Sequence, residues 1–158
     1  MEVQQPVIFV ECGAGLSEER YPGRKYLFTR KHFMHPSEVW KFQQQYLNED
    51  VYQTTMTYIN PIWYQNSRGK WLINASESLK WSDFYLDFDT VIATEEDYQK
   101  LKEDVDVAIR YLVMILKVPM GQVKIFYSGS KGIHLTVPAE VLGLEPHVKL
   151  NQIFKSMA

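Results

Sequence analysis

Cysteine is almost missing from this chain: Cys12 is the one thiol among 158 residues. A lone thiol excludes an intrachain disulfide framework and any multi-cysteine zinc site, and it fits a reducing compartment. A strong charge of either sign is missing too. The net charge of −2 excludes a wholesale basic nucleic-acid binder but leaves local patches open. No apolar run approaches the roughly 20 residues that span a bilayer, and the leading MEVQQPVIFVEC lacks the basic start of a signal peptide. The expectation is a cytoplasmic or nucleoid-associated protein with no membrane partner. Internal repeats and low-complexity segments are also absent. What is plentiful is aromatic: 14% of residues, which argues against disorder and suits core packing or base stacking. With 46% apolar and 23% charged residues, the length fits one domain with a real core.

Along the chain, residues 5–12 (QPVIFVEC) read as a short strand ended by GAG, and 24–34 as a second extended segment. HPSEVWKFQQQYL predicts a helix with Ser37 as N-cap. Residues 51–74 read as β-rich, with NSRG as a turn. WSDFYLDFDT (81–90) predicts a strand, and Leu101, Val105, Ala108, Ile109, Leu112, Ile115 and Leu116 recur on one helical face. Then QVKIFY predicts a strand, SGSKG a turn and IHLTV another strand, and the tail begins a further helix. The fold class expected is α+β, with an N-terminal α/β module over 1–78 and a β-α-β-β module over 79–158.

Two stretches are basic without an acid: Arg20 to Ser37, holding Arg24, Lys25, Arg30 and Lys31, and Val107 to Ala139, holding Arg110, Lys117, Lys124 and Lys131. Solvated faces are the ordinary explanation of such runs. The second run, however, contains SGSKGIHL. Ser128, Gly129 and Ser130 can expose free backbone N–H groups as an anion-binding nest, and Lys131 adds a point charge. Gly132 permits a positive φ or a close ligand approach, and His134 can reach back as a further donor. A plain hairpin turn explains the same residues. The other constellation is Asp87-Phe88-Asp89: on a strand both carboxylates share a face and call for a hard divalent cation, Mg²⁺ or Mn²⁺. A strand end capped by Asp89 is the alternative. Together the parts make what nucleotidyl transfer needs: carboxylates for metal and donors for the remaining triphosphate charge.

FYLDFD (84–89) followed by IFYSGSKGIHLTVP (125–138) resembles the archaeo-eukaryotic primase superfamily, in which a hydrophobic strand ending in D-x-D precedes an S-G-x-[RK]-G-x-H hairpin. The resemblance covers about residues 80–138 and the N-terminal part only in general α/β character. It implies an RRM-like catalytic unit, with Asp87 and Asp89 as catalytic metal ligands. Ser128, Lys131 and His134 would contact the triphosphate, within a nucleotide-binding hairpin that also includes Gly129, Ser130 and Gly132. It further implies primer synthesis from nucleoside triphosphates on single-stranded DNA with Mg²⁺ or Mn²⁺, and a replicative helicase or primase large subunit as partner. Arg24, Lys25, Arg30 and Lys31 then become candidate template or phosphate contacts.

One departure stands out. The family carries a third metal-binding aspartate on a later strand, whereas only Glu140 and Glu145 follow His134 here. A fragment of a longer primase is the expectation that follows. Two rivals keep a different chemistry: a D-x-D nucleotide-sugar transferase, and a non-catalytic nucleotide or single-stranded nucleic-acid binding module. The latter would use Phe84, Phe126 or Tyr127 as exposed aromatics.

Overall fold

β-Branched and aromatic residues are frequent in the first half of the chain, and the regular structure of that half is mostly strand. The computed structural model describes residues 5–18, 22–23, 28–90, 92–127 and 132–158. Ser128, Gly129, Ser130, Lys131, Arg24 and Lys25 lie outside the described residues. The fold is α+β, with antiparallel sheets and, among the described residues, three α-helices. It divides into two compact units, Met1–Trp81 with Pro146–Leu150, and Ser82–Glu145 with Asn151–Ala158.

In the first unit, β1 (Ile8–Gly15), β2 (Phe28–Met34), β3 (Val51–Ile59) and β6 (Leu79–Trp81) form a sheet in the order β2-β1-β3-β6. The GAG expected to end β1 lies inside it. Gly13 belongs there because a Cβ would stand 2.6 Å from the Thr29 carbonyl oxygen, closer than a side chain tolerates. Cys12 pairs with His32 and Ala14 with Thr29, so Arg30 and Lys31 together face Gly13 in a β-bulge. Val10, Cys12, Ala14 and Leu16 are buried together with Phe42 of α1 (Val39–Gln45). Ser37 is not the N-cap. Pro36 starts a 3-10 turn one residue earlier, and the Nδ1 of His35 accepts the Ser37 backbone N–H at 3.3 Å.

A two-stranded hairpin, β4 (Trp63–Gln65) and β5 (Trp71–Ile73), also belongs to this unit. The Asn66 side chain organises its turn by accepting the backbone N–H groups of Arg68 and Lys70. The sequence reading puts the module boundary after residue 78. The units divide after Trp81 instead, because Leu79–Trp81 pairs with β3 rather than opening the next strand.

In the second unit, β7 (Phe84–Asp89), β8 (Lys124–Tyr127) and β9 (Gly132–Val137) form an antiparallel sheet in the order β7-β9-β8. The helix α2 (Glu95–Arg110) begins earlier than its apolar periodicity, at a capping box in which Thr94 and Asp97 bond each other's backbone. It loosens into a π-turn at Tyr111–Ile115 before Val118-Pro119 ends the helical stretch. Phe84, Ile133, Leu135 and Val137 from the sheet are buried against Leu101, Val105 and Leu112. Phe154 of α3 (Leu150–Met157) packs edge-on against Phe84, with ring centroids 5.3 Å apart. No helix among the described residues is long and apolar enough to cross a membrane.

Candidate metal and nucleotide site

Burial of one face of the β7-β9-β8 sheet decides what the other face offers. With Phe84, Ile133, Leu135 and Val137 turned into the core, strand alternation sends Tyr85, Asp87, Asp89, His134, Thr136, Lys124 and Phe126 to the opposite side. Register then makes the site. Asp87 pairs directly with His134, and Asp89 with Gly132. The His134 Nε2 lies 3.0 Å from Asp87 Oδ1, and one donor atom from each of Asp87, Asp89 and His134 falls within 4.8 Å of the others.

Gly132 does not take the positive φ expected as one alternative. It admits backbone at close range: a Cβ there would stand 2.0 Å from the Phe88 carbonyl oxygen. Without a side chain at 132, β7 and β9 close fully at the end that carries the two aspartates.

Aromatic rings flank the cluster on both sides. Tyr85 lies 5.1 Å from the His134 ring, centroid to centroid, and Phe126 is the residue opposite His134 on β8, half exposed. Burial holds the Tyr85 phenol above its ordinary pKa, with the charges of Asp87 and Asp89 adding to the effect. Of the three aromatics that a nucleic-acid sheet would use, Phe126 alone is on this face. Phe84 is buried at 1% exposure, and Tyr127 faces the other way, its hydroxyl 3.4 Å from that of Tyr98 on α2.

Beside β7 a cavity of about 320 Å³ is lined by Asp87, Asp89, Asp97, Lys100 and Asp104 among others. Sequence reading missed Asp97 and Asp104. Their helical spacing places them on α2, and only the packing of α2 on the sheet brings them beside β7. Asp97 is already committed, its carboxylate accepting from Thr94 and from the Ala93 N–H. Glu140 and Glu145 do not join the cluster. Of the second basic run, Lys124 shares the site face, and Arg110 is paired with Asp106 at 2.5 Å. Arg30 and Lys31 are on β2 of the first unit, where Arg30 reaches Glu11 at 3.4 Å.

Two carboxylates and an imidazole suit a divalent cation. Ligands on one ion at 2.0–2.2 Å stand up to about 4.4 Å apart, so a spread of 4.8 Å needs only rotamer adjustment. The imidazole nitrogen fits Mn²⁺ better than Mg²⁺, which prefers oxygen throughout. The chain has no significant match among protein-family profiles, curated proteins or solved structures.

Proposed function

We propose that the chain is a metal-dependent nucleotidyltransferase of the primase type, binding nucleoside triphosphates and using single-stranded DNA as template. The observation that carries this reading is the cross-strand meeting of the two motifs. The aspartates of FYLDFD and the histidine of SGSKGIHL come from residues far apart in sequence and share one pair of strands, 3.0 Å from carboxylate to imidazole.

In this reading Asp87 and Asp89 hold the divalent cation, which when bound supplies charge to a triphosphate. His134, in contact with Asp87, either completes the ligand set or keeps an N–H for a phosphate oxygen. Ser128, Ser130 and Lys131 would supply the remaining donors. Phe126 offers a base the flat surface beside them. The strand–helix–strand–strand order with the last strand central also agrees with the resemblance.

The test is calorimetric titration of ATP in Mn²⁺, in Mg²⁺ and in EDTA. Binding that needs the metal, and falls at least tenfold in both Asp87→Ala and Asp89→Ala, supports the site. Equal binding in EDTA and in both variants refutes it. Primer synthesis on single-stranded template then tests the reaction. A second reading, a non-catalytic binding module, is favoured by the exposure of Phe126 on this face. It predicts single-strand binding that is indifferent to metal and is lost in Phe126→Ala.

A further inference from the structure

The second face of the first unit's sheet is neither empty nor fully packed. Opposite the Val10–Cys12–Ala14 core, the side chains of Phe9, Glu11, Phe33 and Tyr58 project beneath the β4–β5 hairpin. Trp63 meets both Phe9 (5.1 Å) and Phe33 (6.0 Å) edge-on, which braces the hairpin over the sheet. Between them remains a cleft of about 330 Å³, whose walls include Phe33, Tyr58, Tyr64 and Leu72 and whose polar groups include Glu11 and Lys31. That volume is within the range of small-ligand sites.

Two features mark the cleft as built for a ligand. Lys31 sits inside a strand at φ 61, a left-handed conformation that lysine adopts only at a cost. The bulge that imposes it turns Lys31 to the cleft, and Glu11 Oε1 accepts the Lys31 backbone N–H at 3.2 Å. The contact of Glu11 with Arg30 uses the same oxygen, so neither contact engages Oε2. The Glu11 side chain is only 14% exposed, so a donor that reaches it is shielded from water.

The combination narrows the ligand. Aromatic walls select a flat ring, a recessed carboxylate selects a ring edge with N–H donors, and the lysine at the bulge selects an anion. An amine would be repelled by Lys31, and a sugar phosphate would leave the rings unused. We propose that this cleft binds a nucleotide, with its base against the wall of Phe33, Tyr58 and Tyr64, a base N–H on Glu11, and its phosphate on Lys31. The site is separate from the Asp87–Asp89–His134 cluster and does not depend on a metal. The hairpin tip adds Arg68 and Lys70, with Trp71 exposed beside them, which provides for the phosphates and bases of a continuing strand.

The experiment uses the full chain in EDTA, with fluorescein-labelled oligo-dA and oligo-dT 12-mers followed by anisotropy and unlabelled AMP as competitor. Wild type is expected to bind. Tyr64→Ala and Lys31→Gly should each weaken binding at least fivefold, Lys31→Arg should retain most of it, and Glu11→Gln should weaken it by a smaller factor. Lys31→Gly is informative because glycine relieves the strained φ. Its melting temperature should hold or rise while binding is lost, so a folding defect cannot imitate the result. Displacement of the oligonucleotide by AMP identifies a free nucleotide as the ligand; oligonucleotide binding that AMP does not displace identifies a strand. Either supports the cleft. Absence of binding by wild type, or wild-type affinity in both Tyr64→Ala and Lys31→Gly, overturns it.

Discussion

Replacing Gly132 by alanine puts the account of the site to its sharpest test. The added Cβ would lie 2.0 Å from the Phe88 carbonyl oxygen, where real Cβ atoms stay beyond 3.0 Å, so β7 and β9 must part by about 1 Å at the Asp89–Gly132 pair. Forcing an atom into closed packing costs about 1–3 kcal/mol. One or two weakened ladder hydrogen bonds add about 1 kcal/mol each. The expected loss is about 2–4 kcal/mol, or roughly 5–15 °C in melting temperature for a chain of this size. Urea unfolding followed by tryptophan fluorescence measures it, with Thr136→Ala as the control on the same strand and face, expected to cost under about 1 kcal/mol. The same displacement moves Asp89 away from His134, so Mn²⁺ affinity should fall with stability. A Gly132→Ala variant as stable as Thr136→Ala, impaired only in nucleotide binding, would refute the reasoning: glycine would then serve the ligand's approach and not the strand's.

Phe126→Ala removes a half-exposed ring from the site face. Stability should move by no more than about 0.5 kcal/mol, while single-strand or nucleotide affinity drops by about 1–3 kcal/mol. Unchanged affinity would mean that no base lies on Phe126. At the start of α2, hydrogen bonds from the Thr94 side chain and from the Ala93 and Thr94 backbones hold the Asp97 carboxyl below the usual aspartate value. A lowered folded pKa stabilises the protein above the unfolded value of about 3.9, and that contribution disappears as pH falls through the folded value. Asp97→Asn should therefore narrow the difference in melting temperature between pH 6 and pH 3. Thr94→Ala should cost about 1 kcal/mol near neutrality.

Local chemistry was written plainly in the chain. Apolar-aromatic character placed a strand over 81–90, of which 84–89 forms β7, and periodicity placed the helix after it, because such patterns are properties of neighbouring residues. The D-x-D spacing alone put Asp87 and Asp89 on one face, since successive strand residues point to opposite sides. Boundaries were less legible. The GAG of β1 reads as a stop, yet Gly13 is in the strand because the Thr29 backbone crowds it, a contact with a distant segment that composition does not reveal. Leu79–Trp81 likewise joined the first sheet through pairing with β3.

Register was decided only by the tertiary structure. Pairing β7 with β9 sets Asp87 opposite His134; a slip of one residue would have sent the histidine into the core and Ile133 or Leu135 to the carboxylates. The same closure gives Gly132 its purpose, and the packing of α2 brings Asp97 and Asp104 beside the aspartates. Of the cleft under the β4–β5 hairpin the sequence marked Lys31 alone, as a candidate phosphate contact. Glu11, Lys31, Tyr58 and Tyr64 belong to four different strands, and a bulge, not a motif, turns Lys31 toward it. The sequence by itself determined which residues could do chemistry and on what kind of element each stands. Strand pairing, a long-range property of the folded chain, determined which of them meet.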